Sequence, residues 1–107
     1  MNAEEIVAKI QQHATRRDLR LTLHAHQEMV EEGILLGEVL QALAGCQLLE
    51  EYPDDRRGPS CLVLGYTDEK RPIHVVCTTA QPVLIIITVY EPRPPRWVTP
   101  IQRRRAE

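Results

Sequence analysis

Three side chains in the last third of the sequence are of the types that move protons or hold anions: His74, Thr88 and Tyr90. They lie in RPIHVVCTTAQPVLIIITVYEP, residues 71–92, which reads as two strands joined by a tight loop at Ala80, Gln81 and Pro82. With Thr79 opposite Val83, His74 falls opposite Thr88 and Pro72 opposite Tyr90. Side chains alternate across a strand, so His74, Val76, Thr78, Leu84, Ile86, Thr88 and Tyr90 share one face. Ile73, Val75, Cys77, Val83, Ile85, Ile87 and Val89 share the other. The first face is apolar near the loop and polar at the far end, where diagonal neighbours such as His74 and Tyr90 stand roughly 7–8 Å apart. Imidazole and phenol in that relation suit general acid–base work, and a slip of one residue would disperse them. The plainer reading is that a strand histidine flanked by apolar residues is a satisfied, partly buried side chain.

His24 and His26 are the second place to look for chemistry. Two apart on a helix, they point about 200° away from each other and cannot chelate together. His24 at a helix N-terminus either binds an anion or pairs with Glu28 at i+4, or simply links helix to sheet; His26 faces solvent. Cys46, Cys61 and Cys77 are odd in number, widely spaced and embedded in or beside apolar segments, with no C-x-x-C. They read as buried free thiols of a reducing compartment. No ligand spacing suggests a metal, and nothing calls for a cofactor.

The elements that must position these groups follow from pattern. Val83–Tyr90 is apolar at nearly every position and rich in β-branched residues, which marks a central strand. Residues 2–15 read as a helix with Asn2 as cap, Glu4 and Glu5 in the first turn, and a stripe of Ile6, Val7, Ile10 and Ala14. Leu19–Leu21 is a short extended connection. Thr22 caps a second helix running to Glu32, with Ala25, Met29 and Val30 inward and Gly33 as its stop. Ile34–Leu36 is an apolar link into a third helix over residues 37–44, which carries Val39, Leu40 and Leu43 at helical spacing. The period then changes: Gln47–Tyr52 and Cys61–Tyr66 are strands around a turn at residues 53–59. After Pro92 the chain, PRPPRW, is extended and polyproline-like, and the final RRRAE frays. Helices followed by consecutive strands give an α+β domain, with N-terminal helices packed on one face of a four-stranded antiparallel sheet. Three helices cover one face only. The other needs either the Pro-rich tail with Trp97 as a plug, or a second chain.

The 107 residues make one domain, with residues 93–107 as a Pro/Arg-rich tail. Thirteen basic and fifteen acidic residues give a net charge of −2, less basic than a dedicated nucleic-acid binder. The charge is uneven: residues 28–55 hold eight acidic side chains and no Lys or Arg. Three tyrosines, one tryptophan and no phenylalanine make a poor stacking platform for single-stranded RNA. The N-terminus lacks the apolar core of a signal peptide and no segment could span a membrane, so the chain reads as cytosolic.

The stretches TLHAHQEMVEEGI, LLEEYPDD, SCLVLGY, RPIHVV and ITVYEP, in that order and spacing, resemble the bacterial DUF4258 family, grouped with RelE/ParE-like toxins. The resemblance runs from about Leu21 to Trp97. It implies a metal-independent ribonuclease-like fold that pairs with a cognate antitoxin protein. The family's helix motif falls on His24-Ala25, its strand histidine on His74 and its late tyrosine on Tyr90. Cleaving RNA without metal means activating a 2′-OH, protonating a leaving oxygen and stabilising a charged phosphorane. The resemblance implies His74, Tyr90 and His24 for the proton transfers; Arg71 and Arg93, which bracket the same sheet end, and Arg96 are the cations expected to meet the RNA. Two positions depart from the pattern: Glu28 and Glu32 stand where the family carries arginine. A non-catalytic interaction module on the same fold is the other reading, and a homodimer is a further expectation.

Overall fold

The computed structural model describes residues 2–56 and 58–104. Helix α1 spans Ala3–Arg16. Asn2 accepts the Glu5 N–H at 2.9 Å, Glu4 and Glu5 lie at the positive end of the helix dipole, and Ile10 and Ala14 are buried. Strand β1, Leu19–Leu21, leads into α2, Leu23–Glu32. Thr22 caps α2 by accepting the Ala25 N–H at 3.1 Å, while its own hydroxyl donates to the Ile87 carbonyl at 3.0 Å. One side chain therefore starts the helix and ties it to the sheet. Gly33 closes α2 in the left-handed conformation at φ 64, which costs glycine nothing. Helix α3, Leu36–Ala44, follows directly.

The sheet contains β2 (Gln47–Tyr52), β3 (Ser60–Tyr66), β4 (Pro72–Thr78) and β5 (Leu84–Tyr90), and it also takes in β1. Its order is β1-β5-β4-β3-β2. The four expected strands are antiparallel neighbours, but the sheet is five-stranded and mixed, because β1 runs parallel to β5 with Leu19 opposite Leu84 and Leu21 opposite Ile86. Three residues are too few for a sequence signature. The unpaired edge of β5 makes a strand of them.

The hairpin register also differs from the expected one. His74 lies opposite Tyr90, Val75 opposite Val89 and Val76 opposite Thr88, then the ladder shifts and Cys77 meets Ile86. Ile87 is the extra residue of a β-bulge, which inverts the alternation along β5. Leu84 and Ile86, expected on the tail side, therefore join Ile73, Val75, Cys77 and Val89 in the core beneath the helices, with Ile10, Ala25, Met29, Val39 and Leu43. His74, Thr88 and Tyr90 keep a common face. Gly65 lets α3 approach β3: a Cβ there would sit 1.9 Å from the Ala42 carbonyl oxygen.

Residues after Pro92 leave the extended path expected of them. Strands β6, Trp97–Thr99, and β7, Gln102–Arg103, pair with each other and lie across the second face of the sheet. Trp97 is 2% exposed and packs edge-on against His74, with ring centroids 4.4 Å apart. Leu62 and Leu64, outside the helix-side core, are buried as well. The tail supplies the cover that this face needs. Of the terminal RRRAE, Arg103 is docked, with its guanidinium over the Trp97 ring at 4.6 Å and bonded to Glu50 at 2.9 and 3.1 Å; residues 105–107 lie outside the described residues. Val30, expected inward, is 69% exposed, because α2 turns Ala25 and Met29 toward the sheet and not the next position.

Candidate functional site

His74 is fully buried at the centre of the sheet. Its Nε2 lies 2.6 Å from the Pro100 carbonyl oxygen and its Nδ1 3.1 Å from the Tyr90 hydroxyl. A carbonyl oxygen only accepts, so Nε2 carries the proton and the Tyr90 hydroxyl donates to Nδ1. Burial holds the imidazole below its ordinary pKa, the Pro100 carbonyl pulls the other way, and Arg103 adds to the lowering. Burial likewise raises the Tyr90 hydroxyl. The pair is thus a neutral imidazole and a neutral phenol, with both ring nitrogens engaged and Trp97 laid over them. The indole N–H of Trp97 is buried and makes no well-formed hydrogen bond among the described residues, although it lies close enough to oppose part of the rise at Tyr90.

The accessible feature next to this pair is a groove of about 490 Å³ between α2, the end of β5 and the tail. His24, Tyr90, Arg93 and Arg96 line it, so four of the six expected site residues meet there. His74 is behind Tyr90, and Arg71 is on the far side of Glu91. Glu28, Glu32 and Glu91 line the same groove. His24 Nε2 stands 3.2 Å from Glu28 Oε1, the i+4 pairing that was one of the alternatives open to it.

Each carboxylate has a structural task. Glu28 accepts the Val89 N–H and Glu32 the Glu91 N–H, each at 3.0 Å. Beyond the end of β1 these groups would otherwise face no strand, so α2 completes the edge with side chains. Burial raises Glu28, the Val89 N–H opposing it. Glu91 is held below the usual carboxylate range by Arg71, whose Nε lies 2.6 Å from it. Arg71 also donates to the carbonyls of Glu32 and Gly33 at 2.8 and 3.1 Å, capping the C-terminus of α2. Arg93 reaches Glu91 at 3.3 Å and Glu32 at 3.5 Å and is 55% exposed.

The residues missed from sequence are Pro100, Arg103 and Glu50, which seal His74, and the edge-capping role of Glu28 and Glu32. The i,i+4 spacing of those two glutamates was visible; the open N–H groups that they serve were not. Among the described residues, no cluster of three or more His, Cys, Asp or Glu side chains is arranged to hold a metal ion, and no helix is long and apolar enough to cross a membrane.

Neither a curated protein nor a solved structure matches the chain significantly. The family described as a domain of unknown function, DUF4258, matches residues 21–91, which takes in α2, α3, the four antiparallel strands and the part of the groove that lies before the tail. That span is about two thirds of the sequence and contains His24, Glu28, Glu32, Arg71, His74 and Tyr90, so the chain belongs to the DUF4258 family.

Proposed function

We propose that this chain is a protein-interaction module that keeps the frame of the RelE/ParE-like toxins its sequence resembles and has given up RNA cleavage. The observation that carries this reading is the charge of the groove. Three carboxylates, Glu28, Glu32 and Glu91, line it beside two guanidiniums, and Arg93 is already paired with two of the three. A phosphodiester entering there would meet carboxylates, two of them held in place by backbone N–H groups, where phosphorane stabilisation needs cations. His74, the natural base, is buried with both nitrogens occupied.

The partner is a second protein, which takes the antitoxin's place in the pair that the resemblance implies and presents apolar and basic side chains. Val30, Leu35 and Leu36 are exposed and line a groove with Leu21 and Met29 along α2 and α3. Val30, Leu35 and Leu36 belong to residues 28–55, a segment with eight acidic side chains and no Lys or Arg, so a basic partner would be complementary in charge. The cytosol, where buried thiols stay reduced, is the compartment that goes with this reading. Titrating a labelled single-stranded RNA at about 50 and 200 mM salt tests it: the expected result is weak binding at both, whereas tight binding that falls steeply with salt would overturn it.

A second reading is favoured by one observation, the convergence of His24, Tyr90, Arg93 and Arg96 on a single groove. In it the chain is a metal-independent RNA endonuclease. His24, exposed and paired with Glu28, takes the place of His74 as the proton acceptor, and Arg93 and Arg96 receive the phosphate. Loss of cleavage in His24→Ala, with the fold intact, is its signature.

A further inference from the structure

Cys61 and Cys77 stand directly opposite each other on β3 and β4. Both are free, and they are 4% and 0% exposed. Residues opposed in an antiparallel pair have Cα atoms about 4.5 or 5.5 Å apart, which falls within the window of roughly 4.4–6.8 Å that a disulfide spans. The two thiols are close enough to shift each other's pKa. Both line a cavity of about 310 Å³ that also touches Ile6 and Lys9 of α1, Glu51 of β2 and Ala80. Cys46, the third thiol, neither opposes another cysteine nor lines this cavity.

We propose that Cys61 and Cys77 form an oxidation site, at which a small hydroperoxide admitted to the cavity converts the opposed thiols into a cross-strand disulfide. The thiolate of Cys61 attacks one peroxide oxygen. An S–O bond forms, the O–O bond breaks, and Cys61 becomes a sulfenic acid, while the departing hydroxide takes up the proton that the Cys61 thiol released and leaves as water. Cys77 then attacks the Cys61 sulfur. The S–S bond forms, the S–O bond breaks, and water departs with the Cys77 proton. Overall, two thiols and hydrogen peroxide yield one disulfide and two waters. The order of attack follows from the pair itself: each thiol's nearness to the other lowers the pKa of Cys61 and raises that of Cys77. Burial pushes Cys46 up to about 11, which leaves it an unreactive thiol.

Trypsin places each cysteine in its own peptide, residues 21–56, 58–70 and 71–96. The full chain is treated with hydrogen peroxide, unfolded, alkylated with iodoacetamide, digested and mapped by mass. The expected product joins peptides 58–70 and 71–96 within one molecule, separates on reduction, and leaves Cys46 alkylated. Peroxide treatment of Cys77→Ser in the presence of dimedone should trap the sulfenic acid on Cys61, since nothing is left to resolve it. Alkylation of all three thiols after peroxide, a bridge that includes Cys46, or bridges formed only between molecules would each overturn the proposal. The map of the unmodified chain decides this even if the variant does not fold.

Discussion

Glu28 Oε1 accepts the backbone N–H of Val89 at 3.0 Å. Four residues along α2, Glu32 does the same for Glu91. The two spacings nearly coincide: four helical residues rise about 6 Å and two strand residues about 6.8 Å, so carboxylates at i and i+4 can serve alternate N–H groups of a strand running beside the helix. Glu28→Ala should cost about 1–3 kcal/mol, the penalty for leaving a partly buried donor without its acceptor. Glu28→Gln keeps an acceptor and should cost less. Glu28→Arg, which puts a donor where the Val89 N–H needs an acceptor, should destabilise at least as much as alanine. Urea unfolding followed by circular dichroism measures all three.

The His74–Tyr90 pair makes stability depend on pH. Burial keeps the folded pKa of His74 below its ordinary value, so the neutral form belongs to the folded state. The unfolded chain takes up a proton near pH 6.5 and the folded one does so only lower. This contribution is therefore complete above the unfolded pKa and is lost as pH falls toward the folded value. The groups facing the ring are Tyr90, Trp97, the Pro100 carbonyl, Arg103 and Glu50. Glu50 is held low, first by its bonds to Arg103, and loses its contribution only in a more acid window. Between pH 7.5 and 5.5 the histidine should cost at most about 1.4 kcal/mol. His74→Gln, which cannot titrate, should show a flatter dependence in urea midpoints at the two pH values.

Trp97 holds the tail to the sheet. Trp97→Ala should destabilise by about 3–5 kcal/mol and expose Leu62 and Leu64, both 1% exposed in the native fold. Binding of an apolar fluorescent dye should rise, and light scattering should show self-association. The unmodified chain should show neither, and its single tryptophan should emit as a buried indole.

Gly65 is a test of the close approach of α3 to the sheet. A methyl group there would meet the Ala42 backbone at 1.9 Å, and backbone yields less readily than a side-chain tip. Gly65→Ala should cost roughly 3 kcal/mol or more, visible as a loss of soluble expression or a large fall in the urea midpoint.

Most of the frame was legible because it rests on local signals. Asn2, Thr22 and Gly33 bound their helices as read, and the apolar period located the four antiparallel strands within a residue or two. What escaped depends on contacts distant in sequence. Leu19–Leu21 becomes a strand only because β5 offers it an edge, and the bulge at Ile87 moves Leu84 and Ile86 to the helix side. The His74–Tyr90 neighbourhood survived the register error because the shift at that end was two residues, which preserves the face. Its seal did not show in sequence. Pro100 and Arg103 reach His74 and Glu50 through a tail whose proline-rich composition announces extended chain and not a hairpin.

The most direct test of the central claim, that the fold is kept while cleavage is not, is inducible expression of the chain in bacteria with growth and message integrity followed together. Growth matching the empty vector, with intact ribosome-bound message, is the predicted result. Growth arrest with cleaved message, relieved by His24→Ala in a variant that still folds, would contradict it.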